Sequence, residues 1–134
     1  MTTHPAEELK RRTKNFALRV IRLFRALPKT DEARVLGRQV LRSATSVAAN
    51  YRAACRSRSR AEFVAKMGIV VEEMDETLLW LELLVDSKTV AANRMDGLMA
   101  EAREILAICA ASQKTARARS KSRSTSINQQ SINQ

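Results

Sequence analysis

The stretch SRAEFVAKMGIVVEEMDETLLWLELLV, residues 59–85, decides the fold. Ser59-Arg60-Ala61-Glu62 has the Ser-x-x-Glu form of a capping box, in which the serine hydroxyl satisfies one free backbone N–H and the glutamate another. The pattern predicts a helix from about Arg60 to Val85. Phe63, Met67, Val70, Val71, Met74, Leu78, Leu81 and Leu84 recur at the three- and four-residue steps of one helical face. Leu79, Trp80 and Leu83 lie off that face, so the end of this helix is apolar nearly all round. Such a helix is expected to be covered twice, by its own bundle and by another surface.

The same period extends in both directions. A first helix is expected from about Ala6 to Leu27, with Leu9, Phe16, Val20, Leu23 and Leu27 as its stripe. Pro28 ends it, because the residue before a proline is pushed out of the α region. Thr30 or Asp31 caps a second helix reaching about Arg56. Its stripe is Val35, Leu36, Val40, Ala44, Val47, Ala48, Tyr51 and Cys55, and its many Ala and Ser residues let a neighbour approach closely. A fourth helix is expected from about Val90 to Lys114 along Leu98, Met99, Ala102, Ile105, Leu106 and Cys109. Gly97 inside it weakens it unless it serves a close contact. Four helices of about 22 to 26 residues, each roughly 33–39 Å long, joined by short links, make sequential helices antiparallel neighbours. The fold class is therefore all-α, an up-down-up-down four-helix bundle over residues 6–114. Residues 1–5 are expected to be flexible. The polar, basic, serine-rich residues 115–134 are expected to form a disordered tail.

Composition agrees. Of 134 residues, 45% are apolar, which is enough for a core, and only three are glycine and two proline. No apolar run is long enough to span a membrane. The N-terminus has no apolar segment of the secretory type. Cys55 and Cys109 sit inside helical patterns without metal-ligand spacing, as small core residues of a chain in the reducing cytoplasm. A net charge of +10 is unevenly spread. Residues 1–60 hold 15 Lys/Arg against 4 Asp/Glu, residues 61–113 hold 4 against 10, and residues 114–134 hold 5 against none. That asymmetry points to a polyanionic partner, to self-association of unlike faces, or to both.

No residues assemble a catalytic or metal site. His4, the single histidine, cannot build a histidine cluster or a triad. Glu72, Glu73, Asp75, Glu76 and Glu82 crowd the third helix. Di-iron bundles, however, use Glu-x-x-His pairs and acids on facing helices, which are missing here. The acids read instead as a solvated face or as partners for arginines of another helix. The basic residues carry more information. Arg34, Arg38 and Arg42 step by four along one face of the second helix, and Arg52, Arg56, Arg58 and Arg60 continue near its end. Arginine forks match phosphate oxygens. The alternative is a solvated face with salt bridges between subunits. A large apolar face for membrane adsorption is lacking. Asn50 is expected to bond across helices, and Tyr51 to place its ring in the core.

Two blocks carry a resemblance. Residues 41–54, LRSATSVAANYRAA, and the pair Glu62-Phe63 with Lys66, Glu72-Glu73 and residues 76–84, ETLLWLELL, are similar to the signature blocks of the 23S rRNA-intervening sequence proteins. Phe16, Val20 and Pro28 fit that family's first helix and first turn, so the likeness spans about residues 12–115. It implies an antiparallel four-helix bundle assembling into a ring, typically a pentamer. It implies no catalytic residues and no cofactor. Distant relatives, the accessory variability proteins of diversity-generating retroelements, are basic rings that bind nucleic acid and a reverse transcriptase.

The resulting expectation is a non-enzymatic, cytoplasmic homo-oligomer that binds RNA or DNA. The expected nucleic-acid contacts are Arg34, Arg38, Arg42, Arg52 and Arg56. Trp80, Leu83, Glu72 and Glu76 are the expected subunit interface. The competing reading is a protein–protein scaffold whose charges serve ring assembly.

Overall fold

Local capping signals set most of the helix ends. The structure, a computed structural model, describes the backbone of residues 4–132 and the side chains of residues 4–121. Helix α1 runs Pro5–Ala26, with His4 Nδ1 accepting a hydrogen bond from the Ala6 N–H at 3.1 Å. Leu27 is extended before Pro28, as the proline demands. Helix α2 spans Asp31–Ala54, capped by Thr30 Oγ1, which accepts from the Ala33 N–H at 3.2 Å. Helix α3 covers Arg60–Asp86, and Ser59 Oγ accepts from the Glu62 N–H at 3.1 Å. Glu62 returns a bond to the Arg58 N–H at 3.2 Å, one residue earlier than a strict capping box would use. Helix α4 runs Ala92–Ile132. Lys88, in the left-handed region at φ 60°, turns the chain between α3 and α4. The Thr89 and Val90 N–H groups both close on the Leu84 carbonyl.

Two boundaries differ from expectation. Residues 1–3 of the expected flexible N-terminus lie outside the described residues, but His4 and Pro5 already cap and open α1. The expected end of the fourth helix at Lys114 is passed by eighteen residues, and only residues 133–134 of the expected tail lie outside the described backbone. The physical reason is propagation. No Gly or Pro follows Gly97, and Ala, Arg, Lys and Gln extend a helix already nucleated by its packed turns at little cost. The apolar period that marks a buried face stops near Ser112, and its end hid this continuation.

The contacts give the topology. Along α1 and α2, Gly37 faces Phe24 and Leu27 at one end, while Lys10 and Lys14 share a groove with Ala48, Ala49 and Arg52 at the other. Leu23 and Leu27 lie beside Val90 and Met95, and Leu9 lies beside Ile108 and Ser112, so α1 is antiparallel to α4 as well. Between α3 and α4, Gln113 Nε2 donates to the Val64 carbonyl at 3.2 Å. The helices form a square in chain order. Among the described residues the diagonal pairs do not approach each other, and the α1–α4 edge is the thinnest.

The core lies on the axis of that square. Phe16 and Val20 of α1, Val40 and Val47 of α2, Met67, Met74 and Leu81 of α3, and Met95 and Ile105 of α4 are fully buried. The expected α3 stripe holds, with Met67, Val70, Met74, Leu78, Leu81 and Leu84 all buried. The α2 stripe holds at Val40, Ala44, Val47 and Tyr51 and shifts at its edges. Val35, expected in the core, is 60% exposed, while Ala33, Gly37, Ser43 and Ala54 are buried. Helix α2 packs on two neighbours at once, so small residues line its inner side. Ser43 and Thr77 meet across the α2–α3 interface at 2.8 Å, which satisfies two buried hydroxyls. Among the described residues, Asn50 makes no bond across helices. Its Nδ2 donates to the carbonyl and hydroxyl of Ser46, both one turn back on α2.

Gly97 does not mark a tight helix crossing. A methyl group there would meet only the Arg19 guanidinium, at 3.3 Å, the mobile end of a long side chain. Gly97→Ala is therefore expected to stabilise the fold by about 0.5–1 kcal/mol. Urea denaturation measures this, and a loss of stability would mean that Arg19 is fixed in place.

Candidate nucleic-acid interface

The five arginines expected to bind phosphate fall into different settings. Arg34 pairs with Asp31 of its own helix at 3.6 Å. Arg42 reaches from α2 to α3, where it meets Glu73 at 3.3 Å and Glu76 at 3.0 Å. The acids of α3 thus find an arginine of another helix within the same chain. Arg38, Arg52 and Arg56 are exposed and have no ion pair among the described residues. Arg52 sits on the rim of the α1–α2 groove with Lys10 and Lys14. Arg56 lies just past the end of α2.

The fold gathers a different cluster around Arg56. The α2–α3 turn carries Arg56, Arg58 and Arg60, all exposed. Because α4 runs antiparallel to α3, its continuation passes this same end and sets Arg119 across a cleft from Arg60. Lys114 and Arg117 are exposed on the same stretch of α4. The acids nearby at the start of α1 are occupied. Glu7 accepts a hydrogen bond from Lys10 at 2.8 Å, and Glu8 pairs with Arg11. Those hydrogen bonds hold both carboxyls below the usual glutamate range, so they stay charged and engaged at neutral pH. Arg60 was legible in the sequence. Arg119 beside it was not, because its segment read as tail.

Arg12 was not singled out by the sequence. It crosses from α1 to α4, where it pairs with Glu101 and, at 3.1 Å, with Glu104. The hydrogen bond to Glu101 raises its pKa above the ordinary guanidinium value, against the opposing effect of burial. This arginine ties the thinnest edge of the square and is unavailable to a ligand.

The expected subunit interface divides as well. Leu79 and Leu83 are 47% and 38% exposed, and with Ile69, at 44%, they form an outer ridge on α3. Glu72 and Glu76 are exposed on that ridge. Trp80 instead packs against the core, half-buried, and its indole N–H is buried without a hydrogen-bond partner among the described residues.

Cys55 and Cys109 are free thiols. Cys109 is fully buried, and burial pushes its thiol up to about 11, so it stays protonated at pH 8. Cys55 is half-buried beside Tyr51 on a cleft wall. A water-soluble thiol reagent at pH 8 should label Cys55 in the native chain and Cys109 only after denaturation. Two fast-reacting native thiols would contradict this packing. Among the described residues, no cluster of His, Cys, Asp and Glu suits a metal ion, and no helix is long and apolar enough to cross a membrane.

With bundle, core and basic end in place, the kinship follows. The chain belongs to the 23S rRNA-intervening sequence protein family, whose profile matches residues 7–111. The crystal structure of a protein with unknown function from the S23 ribosomal protein family of Bacteroides thetaiotaomicron is similar to it. That structure has 31% sequence identity and a TM-score of 0.76, over 81% of this chain and 97% of that one. No curated protein matches the chain significantly. The family match ends before Lys114, so the basic continuation of α4 lies beyond the shared region.

Proposed function

We propose that this protein is a non-enzymatic accessory factor of the cytoplasm that binds single-stranded nucleic acid through the basic end of its bundle, as a subunit of a ring, with five copies as the family likeness suggests. The observation that carries the reading is the set of exposed arginines at that end that make no ion pair among the described residues: Arg56, Arg58, Arg60 and Arg119. Arg34 and Arg42 of the expected set are occupied by acids, so the contact lies at the bundle end and not on the α2 face. Arg56 stays within it, while Arg38 on the α2 face and Arg52 on the rim of the α1–α2 groove fall outside. Contacts to phosphate make binding weakly sequence-specific and strongly salt-dependent. A ring would repeat the patch and raise avidity without new contacts.

Ring assembly has its own support in charge and shape. The apolar, acidic ridge of α3 complements the α1–α2 groove, where Leu18, Ala48 and Ala49 lie between Lys10, Lys14 and Arg52. This pairing also favours the second reading, a scaffold whose charges serve only assembly. Gel shift of a single-stranded RNA by the intact protein at low salt, with native mass measured on the same sample, separates the two. A shifted oligomer supports nucleic-acid binding. An oligomer that leaves the RNA unshifted supports the scaffold.

A further inference from the structure

Two clefts open on either side of Phe63 at the basic end. The first, about 500 Å³, lies among Leu9, Tyr51, Cys55, Ser57, Phe63 and Ile108. The second, about 520 Å³, is bracketed by Arg60 and Arg119, with Phe63, Ser112 and Ala116 in its wall. Phe63 and Ser112 belong to both. Each volume lies in the range of small-molecule sites. No carboxylate lines either cleft among the described residues.

The chemistry of the walls is specific. The first cleft is mainly apolar and has one unmet polar group, since Ser57 Oγ is buried without a hydrogen-bond partner among the described residues. A buried hydroxyl without a partner is an unfavourable arrangement that a ligand's donor or acceptor relieves. Tyr51 offers a second hydroxyl, which burial keeps protonated. The half-buried Phe63 ring divides this apolar slot from the cationic one. A flat heteroaromatic ring with polar edges suits the first cleft, and an anion suits the second. The two groups joined within one molecule describe a nucleotide.

We propose that an unpaired nucleobase of a single strand enters the first cleft, against Phe63 and the Ser57 side of its wall, while an adjoining phosphate sits between Arg60 and Arg119. This rests on the nucleic-acid reading above and adds to it a reason for choosing single strands. A base held in a duplex cannot leave its stack without losing its pairing, so a duplex reaches only the arginines.

The test is fluorescence anisotropy of the full chain with a labelled single-stranded RNA and with a blunt duplex of the same sequence. The wild-type protein should bind the single strand at least about tenfold tighter, the value of one stacked base. Phe63→Leu removes the ring. Ser112→Phe fills the shared wall without removing a residue from the core. Either should erase most of that preference and leave duplex affinity unchanged; Phe63→Leu, at a ring packed against the core, lowers the thermal melt, while Ser112→Phe leaves it unchanged. Equal wild-type affinity for strand and duplex would overturn the proposal, as would an unchanged preference in a folded Ser112→Phe protein. Binding to neither nucleic acid would overturn the functional reading itself.

Discussion

Reversing Arg56, Arg58 and Arg60 together to glutamate is expected to lower affinity for single-stranded RNA by about 100-fold or more. Three phosphate contacts disappear and three repulsive charges replace them. A hundredfold loss corresponds to about 2.7 kcal/mol, less than 1 kcal/mol for each position changed. The three side chains are exposed and make no ion pair among the described residues, so the change removes no interaction that the fold uses. Arg34→Glu and Arg38→Glu serve as the counterpart. Arg34 holds only an exposed pair with Asp31, which contributes little, and Arg38 lies on the α2 face away from the turn. Each should change RNA affinity by less than about threefold, as expected of a solvated charge outside the contact. An effect of Arg38→Glu as large as that of the triple variant would return the contact to the α2 face. Equilibrium binding of one labelled RNA to all the variants decides between these outcomes.

Phe16→Ala should have the largest effect on stability, a loss of about 3–5 kcal/mol. Small domains have a total of roughly 5–15 kcal/mol, so the variant sits near the edge of folding. Phe16 is fully buried and, with Val20, forms the main apolar anchor of α1. Helix α1 has little else to hold it on its α4 side, where the edge is thin and the Arg12 pairs with Glu101 and Glu104 are partly exposed. Urea denaturation followed by helical circular dichroism measures the loss. A decrease under about 1 kcal/mol would mean that α1 docks through other contacts. Arg12→Met should then shift the midpoint further than the same change at Arg11, whose pair with Glu8 stays within α1.

Much of this fold is legible in the sequence because its signals are local. Pro28, Thr30 and Ser59 punctuate the chain where expected, and the α3 stripe reads directly from its three- and four-residue steps. Where two surfaces compete for one helix, periodicity says less. Helix α2 sends Ser43 and Ala33 inward and Val35 outward, because close packing on two neighbours ranks size above hydropathy. Asn50 turned to its own helix because Ser46, one turn back, offers both a carbonyl and a hydroxyl. The candidate site was only partly legible. Arg56, Arg58 and Arg60 are adjacent in sequence, but Arg119 reaches them only through the antiparallel return of α4 and its continuation past Lys114. The missing signal was negative, a run without Gly or Pro, and polar composition masked it. That α3 acids could meet an arginine of another helix was legible, but spacing alone cannot show that Arg42 is the one that meets Glu73 and Glu76.

The central claim is that one end of this bundle binds a phosphate backbone. The most direct test is the salt dependence of single-stranded RNA binding by the intact wild-type protein. For single strands, the slope of log K against log salt is about −0.7 per phosphate neutralised. Four arginines at the basic end of one subunit predict a slope near −3 or steeper, and the Arg56/Arg58/Arg60 reversal should flatten it. A slope close to zero, or no binding at low salt, would contradict the account.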